Sequence, residues 1–423
     1  MYILYSCLLF FSLCVYFPVY FIRFRLLKKE SLYLKERMGF LTPDRAPQDK
    51  SLWIHAVSVG EVLSLRNLIS TAKQRHPDWA IYFSTLTSTG LRIATEKLKE
   101  ADRIFFVPLD FKCIAQKFFC ALEPTVFIMA ESEFWPNLIR TAKKMTKNVL
   151  LVNGRISARS YRRFRKVKKL MRKILAGIDL FLVQTEEDKR KLEDIGVNAG
   201  FIEVAGNLKS DIELPVLSQD DVVKLKQSIN LSNRKKVIIA GSVRKGEEEQ
   251  LLNSYAKARI RASDLVLIIA PRHPERAGEV EKICQKYSLS ASRRTELVKG
   301  EIWDVLILDT LGELPQFYAL SDIAFVGGSL VPWGGHNLLE PAFYCKPIFF
   351  GPHMHNFSFL AERFVASGGA QIVEGEEDLL NMFLFDDETH LLEMGNRARK
   401  TLDELRGATE RTIERIESIM ERA

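Results

Sequence analysis

Acidic side chains directly follow two of the apolar, strand-like runs of the sequence. Glu61 comes after residues 52–57, and Glu131 and Glu133 come after residues 125–129. At the carboxyl end of a strand in a parallel α/β sheet, a carboxylate faces the mouth of the sheet and can act as a general base. Glu61 can equally complement the dipole of the helix that begins there, with no chemical role. Both interpretations stay open on these residues alone.

A glycine-rich segment follows another apolar run late in the chain. Residues 323–326 are of strand type, glycine pairs follow at 327–328 and 334–335, and a helix-like segment covers 337–344. Because glycine lacks Cβ, backbone N–H groups and the positive end of a helix dipole can approach a phosphate there. Glu340, one turn into that helix, is then placed to accept hydrogen bonds from ribose hydroxyls. The pattern indicates a nucleotide site, although an ordinary βα turn has similar glycines.

Positive charge points to an anionic partner. The chain has 61 Lys and Arg against 53 Asp and Glu, a formal net charge of +8. Nucleic acid, anionic lipid and phosphorylated substrates all fit that sign, as does a basic surface kept for solubility. Arg272, which follows the strand-like residues 265–270, is the obvious phosphate partner because a guanidinium matches phosphate with two hydrogen bonds.

Cysteine and histidine give no metal-binding pattern. The six cysteines form no CxxC pair, and the seven histidines are scattered along the chain. We therefore predict no metal site and a reducing compartment for the catalytic part.

The elements that must position these side chains form two α/β series. Strand-like runs alternate with helical segments, at 52–57, 80–84, 104–107, 125–129, 149–152 and 180–183, and again at 235–240, 265–270, 305–308, 323–326 and 347–350. Such alternation predicts doubly wound parallel sheets whose ligands collect at the carboxyl ends of the strands. Glu61, Thr87, Glu131 and Asn153 are then expected to face one crevice.

Four segments divide the chain. Residues 25–213 and 214–400 are predicted to form two Rossmann-like domains, and residues 401–423 a helix packing back across both. Residues 1–24 are predicted to be a membrane anchor, because residues 1–22 are almost wholly apolar and long enough to cross about 30 Å of hydrocarbon. The basic residues after them favour a cytoplasmic location for the rest of the chain. A helix lying in the membrane interface, kinked at Pro18, is the alternative.

A dense basic stretch covers residues 155–173. Nucleic-acid binding is one interpretation, but no series of stacking aromatic residues and no known binding module accompanies it. Contact with anionic lipid phosphates is favoured, and a solvated helix face is the plain alternative. We predict a membrane surface and no nucleic acid as partner.

Seven blocks in consistent order resemble a known family. The paired Rossmann-like halves resemble the GT-B class of glycosyltransferases, and the blocks resemble the Kdo (3-deoxy-D-manno-oct-2-ulosonic acid) transferases of lipopolysaccharide synthesis, glycosyltransferase family 30. The blocks are SVGE at 58–61, ESEFWPN at 131–137, NGRIS at 153–157, GNLK at 206–209, PRHPER at 271–276, GEL at 312–314, and GGS at 327–329 with GHNLLE at 335–340. The resemblance implies a GT-B fold with an N-terminal anchor helix.

The resemblance also implies an activity. It is transfer of Kdo from CMP-Kdo to a lipid A precursor, lipid IVA, at the cytoplasmic face of the bacterial inner membrane, with no metal or other cofactor. In the family the glutamate of the SVGE block is the general base, which corresponds to Glu61. Transition-state roles fall to the acidic block, where Glu131 is favoured over Glu133, and to Lys209.

The CMP-binding residues implied by the resemblance lie in the second half of the chain. They are Pro271, Arg272, Thr310, Leu311, Gly312, Asn337, Leu338, Leu339 and Glu340. Leu338 departs from the family pattern, where proline is common after the asparagine, and a change there is expected to matter little. The competing classes are another GT-B nucleotide-sugar enzyme, such as a UDP-sugar transferase or an epimerase, and a non-catalytic membrane protein that binds anionic lipid.

Overall fold

The computed structural model of the chain describes residues 2–27, 33–40, 50–231 and 236–422. The chain forms two compact units: unit 1 comprises Met1–Asp211 with Leu405–Ala423, and unit 2 comprises Ile212–Glu404. The sequence predicts the first division two residues later, after residue 213.

Unit 1 is built on a seven-stranded sheet with the strand order β3-β2-β1-β4-β5-β6-β7. Every pairing between these strands is parallel. The strands are β1 Ser51–His55, β2 Ala80–Thr85, β3 Arg103–Phe106, β4 Val126–Ala130, β5 Asn148–Gly154, β6 Leu180–Val183 and β7 Ile202–Val204. The helices before residue 200 are α1 Tyr2–Leu27, α2 Leu34–Arg37, α3 Val59–Ser64, α4 Arg66–Arg75, α5 Ser88–Lys97, α6 Lys112–Leu122, α7 Pro136–Met145, α8 Ala158–Lys166, α9 Lys168–Leu175 and α10 Glu186–Ile195.

The core of unit 1 lies on both faces of this sheet. Successive residues of a strand point to opposite faces, so Trp53 and Ile54 of β1 join different hydrophobic clusters. The Trp53 ring packs 4.6 Å from that of Phe119 on α6 and 4.9 Å from that of Phe127 on β4, measured between ring centres. Because both faces are covered, the central strands are apolar along their whole length.

The N-terminal residues form α1, and no helix in the described part of the chain combines the length and apolar character needed to cross a membrane. The predicted anchor over residues 1–24 is therefore not confirmed.

Unit 2 has a second seven-stranded parallel sheet, in the order β10-β11-β9-β8-β12-β13-β14. Its strands are β8 Lys236–Val243, β9 Leu265–Pro271, β10 Ala291–Arg293, β11 Val305–Ile307, β12 Ile323–Val326, β13 Ile348–Phe350 and β14 Ala370–Ile372. Its helices are α11 Gln219–Ser228, α12 Glu248–Arg261, α13 Ala277–Lys286, α14 Leu314–Tyr318, α15 Leu339–Phe343, α16 Ser358–Ala366, α17 Glu376–Leu384 and α18 Glu388–Leu405.

The last helix, α19 Ala408–Glu421, packs within unit 1. Ile413, Ile416 and Met420 are buried in its core. The Asp211 carboxylate accepts hydrogen bonds from the backbone N–H groups of Gly407 and Thr409 at the start of the helix. The segment predicted to lie across both domains is thus divided between α18, which belongs almost wholly to unit 2, and α19.

Each sheet has a central pair of strands from which the chain continues toward opposite edges. In unit 1 the chain runs outward from β1 through β2 and β3, then returns to place β4 on the other side of β1; β8 and β12 have the same relationship in unit 2. At such a switch point the loops after two neighbouring strands diverge, and the gap between them is where open α/β sheets bind ligands. Glu61 and Glu131 follow β1 and β4, and Arg244 and Gly328 follow β8 and β12.

Candidate active site

Glu61 lies in the first turn of α3, just after β1, with its side chain only 6% exposed. Ser58 caps the helix, because its hydroxyl oxygen accepts a hydrogen bond from the Glu61 N–H at 3.3 Å. In return, the carboxylate accepts from the Ser58 hydroxyl at 2.8 Å and from the Val57 N–H at 2.8 Å. These bonds fix the rotamer of the carboxylate and leave each oxygen a further acceptor site.

The pKa of Glu61 is raised above its ordinary value. Burial is the main cause, the hydrogen bonds from Val57 and Ser58 oppose it, and the negative charges of Glu131 and Glu133 add to it. A raised pKa makes a carboxylate a stronger base when it is ionised.

Glu131 follows β4 and pairs with Lys209. Glu131 has a left-handed backbone (φ 54°), and its N–H donates to the Val152 carbonyl at 3.0 Å. The Lys209 ammonium lies 3.1 Å from the Glu131 carboxylate. Lys209 belongs to a short 3₁₀ turn, Leu208–Ser210, which is tied to β5 because the Asn153 side-chain oxygen accepts from the Leu208 N–H at 3.0 Å. The structure thus brings two predicted residues, 78 positions apart, into one ion pair.

Glu133 has a different environment. Its carboxylate accepts a hydrogen bond of 3.0 Å from the indole N–H of Trp135. Burial is the main cause of its raised pKa, which the Trp135 hydrogen bond lowers and the Glu131 charge raises. Glu131 is therefore the acidic residue that faces a cation, and Glu133 the one held by a neutral donor.

In unit 2, Arg272 follows β9 and is exposed. Its N–H donates to the Val243 carbonyl at 2.8 Å. Burial raises the pKa of Glu340, and the Asn337 hydrogen bond and the charge of Arg272 oppose this rise. Asn337 lies between the loop and α15: its side-chain oxygen accepts from the Leu339 N–H at 3.1 Å, and its amide donates to Glu340 at 3.4 Å. Asn337 and Glu340 are thus joined by a hydrogen bond, and Arg272 interacts with Glu340 electrostatically.

The remaining predicted CMP-binding residues differ in accessibility. Leu338 and Leu339 are buried, as is Pro271 at the end of β9. Leu311 is 84% exposed, and Gly312 has a left-handed backbone (φ 87°). The Thr310 hydroxyl donates to Glu313 at 2.5 Å. These three residues form an accessible loop after β11.

The glycine loop uses its N–H groups in a way that the sequence does not predict. The N–H groups of Gly328, Ser329 and Leu330 donate to the buried carboxylate of Glu247, at 2.6, 2.8 and 2.8 Å. That carboxylate also accepts from the Arg244 N–H at 2.8 Å. The expectation that these N–H groups approach a phosphate is therefore wrong, because a side chain of the same unit already occupies them.

The second glycine pair makes room for packing. A Cβ on Gly335 would lie 2.1 Å from the Met354 sulfur, and one on Gly334 would lie 2.1 Å from the Asn356 amide. Both glycines have positive φ. They permit the close approach of residues 353–356 to the loop.

Arg244 and Glu247 are site residues that sequence reasoning missed. Both lie in the charged run that follows β8, where nothing in the pattern separates them from solvated surface residues. The one available signal is position, since the first residue after a central strand faces the mouth of the sheet.

Within the described ranges, no group of three or more His, Cys, Asp or Glu side chains could hold a metal ion. Metal-independent chemistry stays a prediction. Unit 1 offers a buried carboxylate beside an ion pair, suited to proton abstraction, and unit 2 offers guanidinium groups beside a carboxylate and an amide, suited to an anionic nucleotide.

Two doubly wound units, each built on a parallel sheet, are the architecture of the GT-B fold class. A solved UDP-GlcNAc 2-epimerase from Neisseria meningitidis shares the fold, with a TM-score of 0.60 over 87% of this chain and 100% of that one, at 13% identity. The family of 3-deoxy-D-manno-octulosonic-acid transferases matches over residues 33–212. A Haemophilus influenzae 3-deoxy-D-manno-octulosonic acid transferase is 31% identical over 92% of both chains.

The chain belongs to this family of Kdo transferases, and it is a glycosyltransferase. A bifunctional glycosyltransferase/methyltransferase from Fusobacterium nucleatum is 33% identical over 84% of this chain. The match spans 57% of that longer relative.

Proposed function

We propose that this chain transfers Kdo from CMP-Kdo to the lipid A precursor lipid IVA with inversion at the anomeric carbon, and that Glu61 is the general base. The observation that carries this proposal is the buried Glu61 carboxylate at the switch point of unit 1. Its raised pKa and fixed orientation suit a group that must take a proton at neutral pH.

In the proposed reaction, the acceptor hydroxyl gives its proton to Glu61 as its oxygen bonds to the anomeric carbon. The bond from that carbon to the phosphate oxygen of CMP breaks, and CMP leaves with the bonding electrons. Attack from the face opposite the leaving group inverts the configuration. A single base is sufficient because no covalent sugar–enzyme intermediate forms.

Charge stabilisation is assigned to cationic side chains of this chain, with no metal. The sugar gains positive character at the anomeric carbon while the leaving phosphate gains negative charge. Lys209, held beside Glu131, supplies a fixed positive charge. In unit 2, Arg272 is assigned to the phosphate of CMP, and Asn337 and Glu340 are assigned to the nucleoside. Preorganised charges of this kind are often the largest contribution to catalysis.

A location at the cytoplasmic face of the bacterial inner membrane is part of the proposal. Helices α8 and α9 carry the basic stretch predicted to contact lipid, and Val167 and Leu170 are exposed beside those charges. The start of α1 is close to α9, because the Tyr2 hydroxyl donates to the Lys173 carbonyl at 3.4 Å. Basic and apolar groups on one surface favour binding to anionic lipid headgroups.

The direct test is product analysis. Purified protein is incubated with a tetra-acylated lipid A precursor and enzymatically generated CMP-Kdo, and the lipids are examined by mass spectrometry. We expect mass increments of whole Kdo units. Glu61→Gln should abolish them while CMP still binds, as measured by calorimetry, and the exposed-site control Glu96→Gln should behave like the parent.

Two outcomes would contradict the proposal. Loss of CMP binding in Glu61→Gln would place this residue in the nucleotide site instead. Absence of Kdo addition by the parent protein, with CMP still bound, would direct the search to other donors or acceptors.

A further inference from the structure

Arg244 and Arg272 follow two neighbouring strands near the switch point of unit 2. Val243 and Pro271 are paired in the register of β8 and β9, so Arg244 and Arg272 are the next residues on neighbouring parallel strands. The hydrogen bond from the Arg272 N–H to the Val243 carbonyl fixes this arrangement. Burial lowers the pKa of Arg244, the positive charge of Arg272 lowers it further, and the charge of Glu247 opposes both. Two cations are therefore held close together.

The Arg244 guanidinium contacts two imidazole rings and an indole ring. Its Nε–H donates to His336 Nε2 at 3.2 Å, its Nη1 lies 3.1 Å from His273 Nε2, and it lies 5.1 Å from the centre of the Trp333 ring. In the described part of the chain, neither Arg244 nor Arg272 forms an ion pair with a carboxylate.

Arg276, only four residues after Arg272, provides a contrast. It pairs with Glu248 at 2.5 Å and with Glu279 at 3.0 Å. Carboxylates in this region form ion pairs with Arg276, whereas Arg244 and Arg272 interact electrostatically with Glu247 and Glu340 without such an ion pair among the described residues. Adjacent like charges without such partners favour the binding of anions.

The surroundings hold Arg244 in place before any ligand binds. Glu247 accepts from its N–H, which fixes the backbone, and His336 fixes the guanidinium. To accept this bond, His336 must be neutral. Burial and the charges of Arg244, Arg272 and His273 lower its pKa to about 4, so the ring is neutral at pH 7.

Space for His336 depends on a glycine. A Cβ on Gly328 would lie 2.9 Å from the imidazole ring, and Gly328 has a positive φ of 70°. The loop backbone therefore permits the contact between the His336 ring and Arg244. Because this contact already fixes the guanidinium, less conformational entropy is lost when a ligand binds.

The donor assigned above carries two anions, the phosphate of CMP and the carboxylate of the sugar acid. Arg272 interacts electrostatically with Glu340, which is assigned to the nucleoside. Of the two arginines, Arg272 is therefore the one closer to the nucleotide. Arg244 is the other cation, beside Trp333. We propose that Arg244 binds the carboxylate of the sugar in the donor, whereas Arg272 binds the phosphate. This inference rests on the proposed function and adds a residue that selects for acidic sugars.

The test compares Arg244→Met, Arg272→Met and, as a matched control, Lys245→Met, which removes an exposed charge one residue away. For each we would measure the KM for CMP-Kdo and the Kd for CMP, which has the phosphate but no sugar carboxylate. Arg244→Met should raise the KM for CMP-Kdo by about tenfold or more and change the Kd for CMP by less than about twofold. Arg272→Met should raise both constants, and Lys245→Met neither.

The outcomes separate the inference from the function on which it rests. An equal rise in both constants for Arg244→Met would overturn the inference by making Arg244 a phosphate contact, and no change in either would exclude a donor contact. If Arg244→Met does not fold, Arg244→Lys serves instead, and it should raise only the KM for CMP-Kdo. Failure of the parent protein to transfer Kdo would contradict the proposed function itself.

Discussion

The Glu247 carboxylate accepts a hydrogen bond of 2.6 Å from the backbone N–H of Gly328, which lies 81 residues later in the chain. The same buried carboxylate accepts hydrogen bonds from three more backbone N–H groups, those of Arg244, Ser329 and Leu330. A single acidic side chain thus joins the loops that follow β8 and β12. The shape of the glycine loop depends on this carboxylate as well as on its glycines.

Replacement of Glu247 by alanine should destabilise unit 2 strongly. We expect a loss of more than about 2 kcal/mol in the free energy of unfolding, because each buried N–H left without an acceptor costs about 1–3 kcal/mol. Urea unfolding would measure it. Glu249→Ala is the control, since this exposed residue pairs with Lys286 at the surface and should change stability by less than about 0.5 kcal/mol. Equal effects of the two substitutions would contradict the role assigned to Glu247.

The pH dependence of transfer should respond to Ser58. Its hydroxyl donates to the ionised Glu61 carboxylate and so lowers the pKa of Glu61 against the effect of burial. In Ser58→Ala that pKa should rise further. Because the base must be ionised, activity falls as pH decreases through its pKa, and the acid limb of the kcat/KM profile should move to higher pH.

Ser64→Ala is the matched control for this shift. Ser64 is buried whereas Ser58 is exposed, and the Ser64 hydroxyl donates to the backbone carbonyl of Glu61 and not to the carboxylate. Its acid limb should stay at the pH of the parent. An acid limb that does not move in Ser58→Ala, or that moves to lower pH, would argue against Glu61 as the titrating base.

Glu131 and Glu133 should differ in their effect on turnover. Glu131→Gln breaks the ion pair with Lys209, and we expect kcat to fall by about 10²–10³, as for the loss of one preorganised electrostatic contact. Lys209→Met should act similarly, and the double variant should lose less than the product of both factors because the residues act as a pair. Glu133→Gln should have a smaller effect, since Trp135 can still donate to the amide oxygen. A larger loss in Glu133→Gln would transfer the role to Glu133.

The basic surface of α8 and α9 should determine binding to anionic membranes. Replacing the exposed residues Arg163, Lys166 and Lys169 by glutamine should weaken binding to phosphatidylglycerol vesicles by about 1 kcal/mol per charge. Cosedimentation at low and high salt would measure this, with phosphatidylcholine vesicles for comparison. Glutamine at the exposed lysines 97, 99 and 112 is the matched control. Equal losses in both triple variants would indicate a general effect of net charge and no specific lipid surface.

The central strands could be predicted from the sequence, and three edge strands could not. Strands such as β4 are buried along their whole length, so their apolar runs stand out. The missed strands β7, β10 and β14 have three residues each and lie next to one neighbour at a sheet edge. Gln371 and Ile372 of β14 are exposed. These strands form because they pair with a neighbouring strand, and such pairing does not require the long apolar runs by which strands are predicted from sequence.

The sequence predicts those residues of the candidate site that directly follow a central strand, because that position alone brings a side chain to the mouth of the sheet. Glu61 and Glu131 follow central strands, and the structure places both at the switch point of unit 1. The partners that hold each residue come from distant parts of the chain, as with Lys209 and Glu131. For the same reason Glu247 was not predictable, because its four partners are backbone groups whose positions only the folded sheet defines.

Helix α19 should contribute a large part of the stability of unit 1. Ile413 is fully buried in the core cluster on one face of the sheet, so Ile413→Ala should cost about 2–5 kcal/mol. The control Glu414→Ala, on the exposed side of the same helix, should cost less than about 0.5 kcal/mol. Hydrogen exchange in β1 and β4 would locate the loss in unit 1, separately from unit 2. If Ile413→Ala leaves exchange in these strands unchanged, α19 is not part of their cooperative core, and its contacts with α4 are only peripheral.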